Sequence, residues 1–418
     1  MQTAFLIYNL LYLVALIFFL PLEYFKRPTF LRKRWIKEKF GFLEEKEQNL
    51  PKIWIHAVSV GEVIAVSRMI RELSEHYKII LSTITDTGQK VAQERFKDCN
   101  VKVVYMPFDI SWAINRFLKY FSPVAIILTE TELWPNLIRI ASKTTPIILV
   151  NGRMSDKSFK GYYKIKFFIK HLLKKLSLIC VQENSYKEKF ITLGAEEEKI
   201  HVTGNMKFDI ELKTINFTWE NNIPHPVILA GSTHEPEEEI ILNSFISLGI
   251  NGTLIIAPRH PERFDEVETL INRKIAQAVT KIQFSKLSEM KSFFSPQPLT
   301  LILLVDQMGI LGPLYRICDI AVVGGSFIPH GGQNPLEPSY WKKPIICGPY
   351  MHNFPFIEEF IKEKACLMAD KDSLMNVMRE LVKNYELRQT IGNKAYQLFL
   401  NKSGATKKTL KLLKKFIP

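Results

Sequence analysis

Carboxylates stand at two points where a strand-like run gives way to a helix-like one. In HAVSVGEV the run 53–58 ends, Ser59 and Gly61 make a tight turn, and Glu62 sits at or just inside a helix start. A carboxylate projected over a strand end can take a proton from a hydroxyl within hydrogen-bond reach. Glutamate in a first helical turn is also favoured by the helix dipole alone, so the local pattern leaves both readings open. In LTETELWPN, Glu130 and Glu132 follow another strand, two positions apart. They can share a proton, hold an acceptor hydroxyl, or form an exposed acidic loop. NGRMSDKS then places Arg153 and Lys157 after a further strand. Arginine suits two-pronged binding of a carboxylate or phosphate, while Ser155 reads as a helix N-cap.

The second half carries groups suited to anions. GNMKFD holds Lys207, and GSTHEPEE holds Ser232 and Thr233 before a helix start, where free backbone N–H groups suit a phosphate. Capping explains that serine and threonine equally well. APRHPERF repeats the arrangement with Arg259 and His260. The stretch 322–338, VVGGSFIPHGGQNPLEP, has Gly324 and Gly325 at a strand end, then Gly331 and Gly332 in a loop, then Asn334 and Glu337 at a helix start. Glycines let backbone N–H groups approach a phosphate. An acidic residue at such a helix start suits ribose hydroxyls. Neither GxGxxG nor GxxxxGK[ST] is present, which argues against a dinucleotide dehydrogenase and a P-loop ATPase.

The elements that must position these groups alternate. From residue 51, short apolar runs precede longer mixed ones, a pattern of strand–helix–strand units and parallel sheet. The pattern pauses at 210–225 and resumes at 226, so two α/β units are expected, with a ligand site near the C-terminal ends of their strands and a cleft between them. The expected organisation is an N-terminal anchor (1–22), a basic juxtamembrane segment (23–50), a first domain (51–209), a linker (210–225), a second domain (226–400) and a basic C-terminal helix (401–418).

Residues 1–22 contain no charged side chain, and Lys26, Arg27, Arg32, Lys33, Arg34, Lys37 and Lys39 come next. Roughly 20 apolar residues match a hydrocarbon core, and the basic flank places the remainder of the chain in the cytoplasm. No basic residue precedes the run and no Ala-x-Ala succeeds it, as a cleaved signal would require. The chain has 418 residues, 47% apolar and 23% charged, which excludes a disordered, collagen-like or coiled-coil chain. Lysine and arginine (56) exceed aspartate and glutamate (42), a net charge of +14 that asks for an anionic partner. The lysine-rich segment 159–176 suits an anionic membrane surface; no nucleic-acid module is recognisable. Five cysteines without a CxxC pair argue against a disulfide framework or a zinc site.

Taken together and in this order, HAVSVGE, TETELWPN, NGRMSDKS, GNMKFD, GSTHEPEE, APRHPERF and GGSFIPHGGQNPLEP resemble the transferases of 3-deoxy-D-manno-octulosonic acid (Kdo) in bacterial lipopolysaccharide synthesis. The resemblance implies an α/β GT-B fold of two Rossmann-like domains, with a lipid A precursor bound by the first and CMP-Kdo by the second. It implies Glu62 as general base, with Glu130, Glu132 and Arg153 on the acceptor side. Lys207, Ser232, Thr233, Arg259, His260, Gly324, Gly325, Gly331, Gly332, Asn334 and Glu337 would meet the donor. No metal or other cofactor is implied. The expected location is the cytoplasmic face of the inner membrane, held by a single N-terminal span. Pro236 and Gln333 depart from the family pattern, where Gly and His are more common. Competing readings are another two-domain sugar-nucleotide enzyme, a UDP-sugar transferase or a non-hydrolysing epimerase, and a non-catalytic membrane-anchored binding protein.

Overall fold

A computed structural model describes residues 1–43, 50–292 and 300–418. The end of the expected juxtamembrane segment lies outside the described residues. The chain divides into two units: 1–209 with 402–418, and 210–401.

The first unit is built on a parallel sheet of β1 (Lys52–His56), β2 (Lys78–Thr83), β3 (Val101–Tyr105), β4 (Ala125–Thr129), β5 (Ile147–Gly152), β6 (Leu178–Val181) and β7 (Ile200–Val202). Their order is β3-β2-β1-β4-β5-β6-β7. The strands are near-continuous apolar runs because helices cover both faces of a parallel sheet. Side chains alternate accordingly. Ile53 and Ile55 join the core on one face, and Trp54 joins the core on the other with Phe117 and Leu128.

The second unit repeats the plan with β8 (Val227–Thr233), β9 (Gly252–Pro258), β10 (Ile282–Lys286), β11 (Thr300–Leu304), β12 (Ile320–Val323), β13 (Ile345–Cys347) and β14 (Leu367–Met368). Their order is β10-β11-β9-β8-β12-β13-β14. In each sheet one adjacent pair marks the point where strand order reverses: β1 beside β4, and β8 beside β12. Loops leaving such a pair diverge to opposite faces and open a crevice at the strands' carboxyl ends.

Two expected boundaries shift. The stretch 210–225, read as a linker, belongs to the second unit, because Trp219 and Ile223 are buried in its core. The tail, set apart as a basic helix, returns to the first unit, where Ala405 and Leu413 of the helix Ala405–Leu413 are fully buried. Asp209 holds that return by accepting the backbone N–H groups of Gly404 and Thr406. The lysines of the tail helix thus sit on an element anchored by its apolar side.

The helix Gln2–Lys26 is long and apolar enough to cross a membrane by length and composition. Most of its large apolar side chains are exposed, yet one stripe touches the first unit.

Candidate functional site

In the first unit, the helix Val60–Ala65 begins directly beyond β1. Glu62 in its first turn turns back over the sheet edge. Its Oε2 accepts from the backbone N–H of Val58 (2.9 Å) and from Thr129 Oγ1 at the end of β4 (2.6 Å). Among the described residues its Oε1 meets only Ser59 Oγ, at 3.3 Å. One oxygen is therefore satisfied, while the other keeps acceptor capacity for a substrate hydroxyl. Burial lifts the Glu62 carboxyl above the ordinary glutamate range; the bonds from Thr129 and Val58 oppose that rise, and the charge of Glu130 adds to it. A carboxylate made more basic in this way is a better proton acceptor near neutral pH.

The entry to this turn is rigid. His56 and Trp54 both contact Ser82 Oγ, at 2.9 and 2.8 Å, and burial pushes the His56 imidazole down to about 3, so the ring stays neutral.

Glu130, Glu132, Arg153 and Lys207 gather on the same side. Glu130, with φ of +53°, turns sharply off β4, and its Oε2 lies 2.7 Å from Arg153 Nε. Glu130 is thus engaged with Arg153, whereas Glu62 keeps one oxygen with spare acceptor capacity. Glu132 is pushed up to about 7, by burial first and then by the charges of Glu62 and Glu130. Near neutral pH it exists in both forms and can donate or accept a hydrogen bond. Lys207, expected with the donor groups, lies in this unit on the turn Met206–Phe208. Burial lowers its ammonium, and the charges of Glu130 and Glu62 oppose the fall. Asn151 positions that turn by accepting the Met206 N–H (3.0 Å). Thr129 and Asn151 are the members sequence reasoning missed. The signal for Thr129 was its place one residue before Glu130 at a strand end.

In the second unit the residues beyond β8 and β12 meet. A side chain at Gly324 would fall on the Ser232 carbonyl and come within 2.7 Å of the Thr233 Cα, so only glycine lets these loops close. Their tie is Glu237, which sequence reasoning passed over. It is fully buried in the first turn of the helix Glu237–Leu248 and accepts the N–H groups of His234 (3.0 Å), Gly325 (2.6 Å) and Phe327 (2.9 Å). This corrects one expectation. The helix start beside Ser232 and Thr233 is not a set of free N–H groups awaiting a phosphate. Glu237 takes the His234 N–H, and Glu238 and Glu239 make the turn acidic. What gathers there instead is a set of imidazole rings. The His234 ring lies 4.1 Å from His330 and 5.4 Å from His260. Burial pushes His234 down to about 4, with help from the charges of His330, His260, Arg259 and Arg263.

Gln333 Nε2 lies 3.1 Å from His234 Nε2. An amide donor there leaves the imidazole proton on Nδ1. The loop of Gly331 and Gly332 folds back, with the Gly332 N–H on the Gly325 carbonyl at 2.7 Å. Asn334 Oδ1 caps the helix Leu336–Tyr340 through the Leu336 N–H, and Glu337 lies in that helix beside Gly312. Pro236 stands at the N-cap of the helix Glu237–Leu248. Among the described residues no group of three or more His, Cys, Asp or Glu is placed to hold a metal ion.

The depressed His234 sets a pH dependence. The unfolded chain takes up this proton near 6.5 and the folded chain only near 4. Stability is therefore present above about pH 6.5 and is lost as pH falls toward 4. Denaturant midpoints across that window should fall in the native chain and flatten measurably in His234→Gln.

The family model described as 3-deoxy-D-manno-octulosonic-acid transferase (kdotransferase) matches residues 34–210. A 3-deoxy-D-manno-octulosonic acid transferase from Haemophilus influenzae is 35% identical over 418 residues, 96% of this chain and 95% of the relative. One from Aquifex aeolicus is 31% identical over 355 residues, 81% of this chain and 90% of the relative. Among solved structures, the UDP-GlcNAc 2-epimerase of Neisseria meningitidis bound to UDP-GlcNAc superposes with a TM-score of 0.55 over 87% of this chain and 100% of that one, at 13% identity. That likeness speaks for the fold of two Rossmann-like units.

Proposed function

The chain belongs to the family of 3-deoxy-D-manno-octulosonic acid transferases, glycosyltransferases of GT-B architecture, and we propose that it moves Kdo from CMP-Kdo to a lipid A precursor, lipid IVA, at the cytoplasmic face of the inner membrane. The observation that carries this reading is the Glu62 carboxylate at the crevice between β1 and β4, with Oε2 satisfied and Oε1 open to a substrate.

In the proposed reaction a sugar hydroxyl of the acceptor hydrogen-bonds to Oε1. As its oxygen attacks the anomeric carbon of Kdo, its proton passes to Glu62. The bond from that carbon to the phosphate oxygen breaks, and CMP leaves with the bonding pair. Attack opposite the leaving group inverts the centre. Glu132 and the Glu130–Arg153 pair orient acceptor hydroxyls, and Lys207 offers a cation beside them. On the donor side, Arg259, His260 and the loops held by Glu237 receive the phosphate and the Kdo carboxylate, with Asn334 and Glu337 toward the ribose. Placed cations and backbone donors stabilise a departing phosphate without a resident cofactor. On this reading a chelator leaves the rate unchanged; loss of turnover in EDTA, restored by one divalent ion, would contradict it.

The base assignment sets the pH profile. The acidic limb of kcat/KM reports the free enzyme's base, and Glu62 sits above the ordinary glutamate value of 4.5. Glu130→Gln removes a charge that holds Glu62 up, so the limb should move to lower pH. A limb at or below the ordinary value, or one unmoved in Glu130→Gln, speaks against Glu62. For the donor, thermal melting with added nucleotide is the test: a ligand that binds the native state raises Tm. CMP should protect and UDP should not; equal protection by UDP would favour a UDP-sugar enzyme.

A further inference from the structure

The helix Gln2–Lys26 touches the first unit along its length, at both ends and in the middle. Near its start, the Phe5 ring lies 5.1 Å from Phe168 and 5.1 Å from the Arg139 guanidinium. In the middle, Tyr8 Oη donates to Asp109 Oδ2 (2.8 Å), Tyr12 Oη accepts the Asp109 N–H (3.1 Å), and Asn9 Oδ1 accepts from Asn136 Nδ2 (2.7 Å). Toward its end, Leu16, Leu20 and Tyr24 pack on the cluster of Trp35, Tyr105 and Phe108. Just beyond the last turn, Arg27 Nε reaches Asp86 at 3.2 Å. These contacts recur every three or four residues, one stripe of an α-helix. From Phe5 to Tyr24 the stripe rises about 28 Å at 1.5 Å per residue, close to the roughly 30 Å of a hydrocarbon core.

A helix docked over that length cannot cross a bilayer alone. It would draw Asp109, Asn136, Arg139 and Lys143 of the first unit into hydrocarbon, where charged groups are costly. Its hydrophobicity all round, which in the sequence reads as a span, has two destinations: one stripe is packed against protein and the rest is open. The open side presents Leu6, Leu10, Ile17, Phe18, Leu22 and Phe25, each more than 60% exposed.

We propose that this helix lies in the plane of the membrane, half-sunk in the acyl–headgroup boundary of an anionic bilayer with its docked stripe on the first unit, and does not span it. Charge complementarity selects that occupant. Lys26, Lys33 and Lys37 are exposed beside Phe30, which is 81% exposed. The helix Lys166–Leu173, whose Phe168 touches Phe5, exposes Phe167 and Lys170. At the first turn of the N-terminal helix, a cavity of about 430 Å³ gathers Arg139, Lys143, His171 and Lys175, a setting suited to a lipid phosphate. Apolar faces flanked by basic residues bind such interfaces. The proposal rests on the reading of a membrane-borne acceptor, but its test does not require turnover.

Full-length protein carrying Cys99→Ser receives Gln2→Cys or, separately, Lys33→Cys, both at exposed positions. Sealed spheroplasts are treated with a membrane-impermeant maleimide before and after lysis. An in-plane helix keeps both positions on one side, so both cysteines are labelled only after lysis. A helix that crosses puts them on opposite sides: labelling at position 2 in sealed spheroplasts, with position 33 protected until lysis, overturns the proposal. Thr3→Cys, also exposed, repeats the reading should the first variant express poorly. Kdo transfer by the same membranes is measured alongside. Same-side labelling without transfer removes the catalytic reading and leaves the in-plane helix standing.

Discussion

Replacing Glu62 by glutamine lowers kcat for Kdo transfer about 10²- to 10⁴-fold, the usual worth of a positioned general base, while the fold persists. Glutamine keeps the shape of the side chain. Its amide oxygen can accept from Val58 N–H and Thr129 in place of Oε2, and its NH₂ then stands where Oε1 stood, beside Ser59. What disappears, on the proposed reaction, is the lone pair that would take the acceptor's proton. The lost charge also relieves Glu132, whose carboxyl is raised in part by Glu62, so Glu132 should titrate lower in the variant. The assay is single-turnover transfer under saturating CMP-Kdo, with thermal melting as the control. A Glu62→Gln enzyme that turns over within a few-fold of the native chain would contradict the assignment. Thr129→Val separates positioning from chemistry. It removes one bond to Oε2 and should raise the acidic limb of the pH profile, because that bond favours the charged form.

Replacing Glu237 by alanine should destabilise the second unit strongly. Its carboxylate is fully buried and accepts three backbone N–H groups from two loops. Truncation strands those donors, at about 1–3 kcal/mol for each buried group left unsatisfied. A loss of roughly 3 kcal/mol or more lowers Tm by roughly 6–12 °C in a unit of this size. The loops that Glu237 holds carry His234 and the Gly324–Gly325 approach, so protection by CMP should weaken at temperatures where the variant is still folded. Melting curves with and without CMP read both effects. Native-like melting with full CMP protection in Glu237→Ala would show that the tie does not organise the donor loops.

Much of this arrangement was legible in the chain. Strand-like runs leading into helix starts located Glu62, Glu130, Ser232 and Gly324 at carboxyl ends of strands, because parallel strands buried on both faces leave long apolar runs. Adjacency across the sheet was not legible. Nothing local shows that β1 pairs with β4, so the Thr129–Glu62 bond, which spans 67 positions, was invisible. Glu237 was hidden for a different reason. In EPEEE it reads as one of several acids favoured by a helix start, and only burial separates it from Glu239, which pairs with Lys274. Lys207 comes after the last strand of the first unit, and only the family resemblance assigned it to the donor; the Asn151 bond to Met206 ties its turn to the first unit, as the expected bounds 51–209 had it. The stretch 210–225 is polar enough for a linker, yet two apolar residues, Trp219 and Ile223, suffice to commit it to a core. The N-terminal helix shows the limit of composition. Apolar content alone does not say whether a face meets lipid or protein, and the polar atoms of Tyr8, Asn9 and Tyr12 decide one face.

Mass spectrometry of lipid IVA after incubation with CMP-Kdo and the purified full-length chain tests the central claim most directly. The account predicts acceptor carrying one or more added Kdo residues with release of CMP, and no added mass when Glu62→Gln replaces the native chain for the same time. Unmodified lipid IVA with the native chain, or equal conversion by both proteins, would contradict it.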